Sequence, residues 1–249
     1  MTVGIFDSGV GGLTVAKPIL EQNLFDEIIY FGDTARVPYG NKDKNTIVRY
    51  SLEALEFFKN FDIDMLIVAC NTASVHAIEE LRASTNIPIV GVIEAGVNSL
   101  SKQIDDKQSK ILIIGTKATI QSNSYEKRLL QEGYKNTISI ATPLFVPIVE
   151  ENLQNTKILD ETMKQYFKDI KGIDVVILGC THFPLIDKEI KKYFTINSTI
   201  HSGEAICDMI KERYRPKKPI KKTNIKFFAS ENPQQLENRA KEWLLTKYI

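Results

Sequence analysis

DMLIVACNTAS (64–74) and DVVILGCTHFP (174–184) are two copies of one pattern. Each begins with Asp, passes through a short apolar run to a small residue, and then gives Cys followed by a polar pair containing Thr. A continuous run such as MLIVA or VVILG suits a strand buried on both faces, and such strands belong to parallel sheets covered by helices. The echo sets Cys70 and Cys180 at the same point of two similar units, where a strand ends and a helix begins. A looser echo places GIFDSG (4–9) beside IIGTKA (113–118).

Working outward, TVGIF, EIIYF, IPIVGV, KILIIG, TISIA and NIKFF read as further strands, separated by stretches of helical period. IVRYSLEALEFFKN (47–60) puts Val48, Leu52, Leu55 and Phe58 on one face. SNSYEKRLLQEG (122–133) offers serine caps at its start and Gly133 at its end. FPLIDKEIKKYF (183–194) carries Pro184 in its first turn, and NPQQLENRAKEWLL (232–245) has Asn232 as cap with Pro233 next. The expected class is α/β: two pseudosymmetric parallel-sheet α/β domains facing across an active-site cleft. The expected division is 1–95 plus 208–249 for the first domain and 96–207 for the second. RPKKPIKK (215–222) reads as a solvated basic linker, after which the last strand and helix return to the first half.

The 249 residues suffice for one large or two small cores, and 43% hydrophobic with 25% charged residues is ordinary for a globular chain. With 32 basic against 31 acidic residues there is no global field to hold nucleic acid or an anionic membrane. No apolar stretch reaches the length of a membrane span, and MTVGIFDSG enters a strand without a basic or cleavable leader, so the cytoplasm is the expected location. Cys70, Cys180 and Cys207 are odd in number and too widely spaced for a disulfide scaffold.

DSGVGGLTV (7–15) resembles a phosphate turn but has Thr14 where a dinucleotide fingerprint needs glycine, and Asp7 would repel a pyrophosphate. Ser8 and the N–H groups of a helix start suit one small anion such as a carboxylate; glycines packing in a tight turn are the plain alternative. In YFGDTARVPYG (30–40), Asp33 stands where a ribose-binding acid would, while Arg36, Tyr39 and the Gly40 backbone could close over a charged ligand. A single buried cysteine is by default core filler. Two at equivalent strand ends, each at a helix N-terminus that favours thiolate, call for another account. Asn71, Thr72 and Thr181 could bind a carboxylate or ammonium group, and His182 stands two residues beyond Cys180. Cys207 reads as packing on an amphipathic helix.

Zinc on Cys70, Cys180, His182 and His76 lacks the paired short spacing of structural sites. A cysteine hydrolase would bring its base from far along the chain and leave the second cysteine without a role. Two matched thiols across a cleft suit stereoinversion: one thiolate removes a proton from carbon and the opposite thiol supplies another to the other face. Asp7 and His182 could each manage the proton on a neighbouring thiol. No pyridoxal or flavin motif is evident.

FDSGVGGLTV, YFGDTARVPYG, LIVACNTAS, GTKAT and ILGCTHFP, with SGEAI (202–206) and RAKEWL (239–244), together resemble the glutamate racemase family, in order along nearly the whole chain. The resemblance implies cofactor-independent racemisation of L-glutamate to D-glutamate for bacterial peptidoglycan. It assigns Cys70 and Cys180 as catalytic thiols, Asp7 and His182 as their acid/base supports, and Glu150 in FVPIVE as an acid assisting the histidine. It assigns Ser8, Tyr39, Gly40, Asn71, Thr72, Thr116, Thr119, Thr181, His182 and Asp7 to substrate binding. It implies a homodimer in the bacterial cytoplasm, a small-molecule substrate, no metal, and neither nucleic acid nor membrane as partner. Ala95 in GVIEAG replaces the family's usual proline near the crossing between halves and bears on hinge stiffness, not on the chemistry. Only two residues precede VGIFDSG, so activation through an N-terminal extension by a cell-wall nucleotide precursor is not expected. The alternatives are a racemase of aspartate or a related amino acid, and a non-catalytic α/β protein binding a small anion or zinc.

Overall fold

The computed structural model describes residues 1–214 and 222–244. The basic stretch 215–222 therefore lies outside the described residues, apart from its last lysine. The first half contributes β1 (Thr2–Asp7), α1 (Leu13–Glu21), β2 (Glu27–Gly32), α2 (Lys44–Phe58), β3 (Met65–Val68), α3 (Asn71–His76), α4 (Ile78–Ala83) and β4 (Ile89–Gly91). The helix α5 (Val92–Gln103) leads into β5 (Ile111–Gly115), α6 (Lys117–Gln121), α7 (Ser124–Gln131), β6 (Thr137–Ala141), α8 (Phe145–Glu150), α9 (Lys157–Phe167), β7 (Val175–Gly179), α10 (Asp187–Phe194) and β8 (Thr199–His201). The chain then follows α11 (Ser202–Arg213), β9 (Asn224–Ala229) and α12 (Pro233–Trp243).

All strand pairs are parallel, in two sheets ordered β4-β3-β1-β2-β9 and β6-β5-β7-β8. Superposing the orders equates β4, β3, β1 and β2 with β8, β7, β5 and β6, and leaves β9 as an addition beside β2. The two leading aspartates of the echo do the same work. Asp64 Oδ2 accepts from the Thr2 N–H and Asp174 Oδ2 from the Lys110 N–H, each at 2.7 Å, and fix the register of β3 on β1 and of β7 on β5. Ile5 lies opposite Ile67 and Ile113 opposite Ile177. The looser echo is thereby off by one residue: Ser8, not Asp7, is the counterpart of Thr116. Matching apolar letters alone could not set that register.

Alternate strand residues face opposite layers. Ile5, Ile67, Ile113 and Ile177 join one central cluster, which runs between the sheets through α1, α5 and α11. Phe6, Leu66 and Val68 face the outer layer of the first sheet, and Leu112, Val176 and Leu178 that of the second. Burying both faces of these strands is worth roughly 25 cal/mol per Å² of apolar surface. The continuous central layer makes the two halves one packed body.

Four local expectations change. On α2 the fully buried stripe is Ile47, Ser51, Ala54, Leu55 and Phe58, with Val48 and Leu52 half-buried at its margin. Before α7, Asn123 takes the cap position in the left-handed region (φ 54°), while Ser122 Oγ accepts from the Ser124 N–H at 3.2 Å. Gly133 (φ 91°) ends that helix as expected, in a conformation glycine adopts without strain. Residues 183–186 form a 3₁₀ turn, closed by Phe183 N–H on the Cys180 carbonyl and Leu185 N–H on the His182 carbonyl, and α10 starts only at Asp187. Finally, β8 went unread because Ile200 is its sole apolar residue. Asn232 caps α12 as expected, its side chain accepting from Gln235 N–H. Among the described residues no helix is long and apolar enough to cross a membrane.

Candidate active site

Cys70 is the N-cap of α3, where its sulfur accepts from the Ala73 N–H at 3.5 Å. It also donates to Ser8 Oγ at 3.4 Å. Burial, and then the nearby charge of Asp7, push the Cys70 thiol up to about 12. Cys180 follows β7 in the matching turn, with its sulfur 3.7 Å from His182 Nδ1. His182 Nε2 lies 2.8 Å from Glu150 Oε1 at the end of α8. Burial opposes charge on the His182 ring, but Cys180 and Glu150 outweigh it and raise its pKa to about 10, so the ring is an imidazolium at neutral pH.

The turn after β1 folds back on itself, and the Asp7 side chain accepts from the Gly9 N–H at 2.9 Å. Asp7 thus takes the Gly9 N–H of this turn, while Ser8 faces the cleft. Asp7 is fully buried, and desolvation raises its pKa despite the His182 charge and the Gly9, Gly12 and Thr181 hydrogen bonds that oppose the rise. Thr181 Oγ1 donates to Asp7 Oδ2 at 3.3 Å, and Thr14 Oγ1 to the Thr181 carbonyl at 2.6 Å, so the turn after β1 grips the turn after β7. A Cβ on Gly11 would lie 2.3 Å from Thr181 Oγ1, so only glycine permits this approach.

Across the other side of the cleft, Thr72 Oγ1 lies 2.9 Å from Thr116 Oγ1 and 3.2 Å from Thr119 Oγ1. Asn71 Oδ1 accepts from Tyr125 at 2.7 Å. Gly40 abuts Thr116, where a Cβ would come within 2.5 Å.

The loop carrying Gly40 corrects two expectations. Asp33 is fully buried and accepts from Tyr39 Oη at 2.5 Å, Arg36 Nε at 2.7 Å and Ser230 Oγ at 2.7 Å. It organises the loop and binds no ribose. Arg36 turns away from the cleft, pairs with Asp33 and Glu53, and lies 4.2 Å over the Tyr50 ring. Tyr39 lines the cleft, but its hydroxyl belongs to Asp33.

One cleft brings together Ser8, Tyr39, Gly40, Cys70, Asn71, Thr72, Thr116, Cys180, Thr181 and His182. Val37, Pro38 and Val146 complete its wall, and no sequence signal pointed to them. Asp7 and Thr119 stand behind this wall, while Glu150 borders a wider mouth of about 460 Å³ shared with Val37, Pro38, Gly40 and Thr116. The cavity between the cysteines measures about 20 Å³. That is room for little more than one water. His76 faces elsewhere, with its Nε2 3.2 Å from the Ala118 carbonyl, and Cys207 is fully buried in the central cluster. Among the described residues no three of His, Cys, Asp and Glu converge as ligands of a metal ion.

A family model described as Asp/Glu/Hydantoin racemase matches residues 21–210. The chain is 57% identical over 245 residues to a glutamate racemase of a Nitratiruptor species, covering 98% of this chain and 96% of that one. The fold is similar to the crystal structure of glutamate racemase from Campylobacter jejuni subsp. jejuni, with a TM-score of 0.95, 52% identity and 98% of each chain covered. It is also similar to glutamate racemase from Francisella tularensis subsp. tularensis in complex with D-glutamate. There the TM-score is 0.85 at 31% identity, over 98% of this chain and 93% of that one.

Proposed function

The chain belongs to the Asp/Glu/hydantoin racemase family, and on that premise we propose that it interconverts L- and D-glutamate with Cys70 and Cys180 as the two proton-transfer groups. The observation that carries this reading is the pair of cysteines at matching strand ends, opening on one cleft. An α-carbon held between them presents its proton to one sulfur and its opposite face to the other. One thiolate removes the proton, and the opposite thiol delivers its own from the far side. In the reverse direction the roles exchange.

The carbanion-like intermediate needs fixed donors around its carboxylate. Asn71, Thr72, Thr116 and Thr181 supply them from both halves, with Thr119 behind, and Ser8 and the Tyr39–Gly40 backbone reach the other end of the substrate. His182, steadied by Glu150, serves the proton on Cys180. Asp7 is the corresponding group for Cys70, acting at short range through the Ser8 turn. The hydroxyl contacts between Thr72 and the Thr116–Thr119 pair break as the cleft opens for the substrate. The reading extends to two domains, 1–95 with 208–249 and 96–207, to a homodimer in the cytoplasm, and to D-glutamate used in peptidoglycan.

The test is direct: purified protein without added cofactor is given L-glutamate or L-aspartate, and optical rotation is followed. Loss of rotation with glutamate is the expected outcome. Activity confined to aspartate would transfer the assignment to the shorter acid.

A further inference from the structure

Tyr125 lies outside every motif that marks the cleft, yet it touches both cysteine turns. It sits on α7 in the second half with 2% of its surface exposed. Its hydroxyl donates to Asn71 Oδ1 at 2.7 Å, and Asn71 is the residue directly after Cys70. Its ring lies against Gly179, the residue directly before Cys180, where a Cβ would come within 3.3 Å of Tyr125 Cε2. On the other edge the ring packs against Gly96 of α5, where a Cβ position lies 3.5 Å from Cε1, an ordinary contact distance. The ring is thus packed between the crossing helix and the second cysteine turn, with Gly179 giving it the closer approach.

The hydrogen bond also settles the Asn71 amide. With Oδ1 held by Tyr125, Nδ2 is turned toward Ser202 Oγ, 3.5 Å away, a distance that leaves this donor weakly held.

We propose that Tyr125 is a positioning residue for the two-thiol reaction: from the second half it holds Asn71 by its hydroxyl and the Gly179–Cys180 turn by its ring, and so fixes how the two sulfurs face each other. The proposal rests on the racemase reading above. A proton transfer between fixed groups is sensitive to displacement, and a shift of about 1 Å costs roughly a hundredfold in rate. The hydroxyl and the ring therefore have separable effects.

Tyr125→Phe keeps the ring and frees Asn71. It raises KM for L- and D-glutamate alike by about tenfold, the scale of one lost buried hydrogen bond, with kcat held within about threefold. Adding Tyr125→Phe to Asn71→Ala leaves the KM of the Asn71 variant unchanged, because the hydroxyl acts through that amide. Tyr125→Leu removes the ring as well and lowers kcat by about a hundredfold. If the leucine variant does not fold, as judged by circular dichroism, the phenylalanine variant and the double-mutant cycle decide alone. A substrate-free arm separates this proposal from the reaction assigned above: iodoacetamide labelling, read by peptide mass spectrometry, is several-fold faster at Cys70 in Tyr125→Phe than in the unaltered protein. Unchanged KM in Tyr125→Phe, a full additional KM rise on top of Asn71→Ala, or unchanged labelling would each overturn the proposal, the last even if the protein turns over no glutamate.

Discussion

Cys70 and Cys180 occupy the same position in two copies of one strand–turn–helix unit, yet their neighbours carry opposite charge. Near Cys70 stands the buried carboxylate of Asp7, which with burial raises the thiol to about 12. Beside Cys180 stands the His182 imidazolium, held by Glu150 2.8 Å away. The backbone repeats and the electrostatics do not. A racemase needs one proton donor and one acceptor at any moment, and the two turns surround their sulfurs with different groups. The equilibrium between enantiomers in an achiral medium is nonetheless unity. Their kcat/KM values must therefore match at every pH, and asymmetry can appear only in kcat and KM separately.

The largest expected effect tests whether the halves are interdependent. Cys70→Ser or Cys180→Ser alone lowers racemisation by about a thousandfold or more, while circular dichroism melts stay near the unaltered protein. A variant retaining half its activity would break the pairing. Next come the charged partners. His182→Asn and Asp7→Asn each lower kcat by about a hundredfold, but they act oppositely on the free thiols. In the unaltered protein at pH 7 iodoacetamide labels Cys180 before Cys70; His182→Asn removes that preference, and Asp7→Asn speeds labelling of Cys70. Equal labelling before any substitution would contradict the charge asymmetry.

A smaller effect concerns a support found only in the first half. Asp33→Asn weakens the anchor of the 33–40 loop and raises KM about tenfold with little change in kcat, measured from initial rates in both directions. The smallest is on stability. The folded His182 pKa, about 10, exceeds its ordinary 6.5. Its contribution is therefore complete below about pH 6.5 and is lost as pH rises through about 10. Melting temperature falls over that window, and His182→Asn flattens the fall by a few degrees. The Cys70 contribution has the same sign and lies higher, between 9 and 12.

Much of this was legible in the chain because it depended on local pattern. Buried parallel strands read as unbroken apolar runs, so β3, β5 and β7 were visible, and the doubled motif located both cysteines. What stayed hidden depends on partners distant in sequence. Arg36 looked like a ligand clamp until Glu53 and Asp33 were placed beside it. Tyr125 is an ordinary helix aromatic until Gly179 and Asn71 are folded against it. Nothing in DSGVGG says that Asp7 folds back to take the Gly9 N–H of its own turn.

The central claim, two thiols acting on opposite faces of one carbon, is most directly tested by following each enantiomer of glutamate in D₂O at early conversion. Deuterium should enter the α-position of the newly formed enantiomer while the unreacted starting enantiomer keeps its protium, with either enantiomer as starting material. Early deuterium in the recovered starting enantiomer, or product that retains the original proton, would mean a single base serves both faces and would contradict the account.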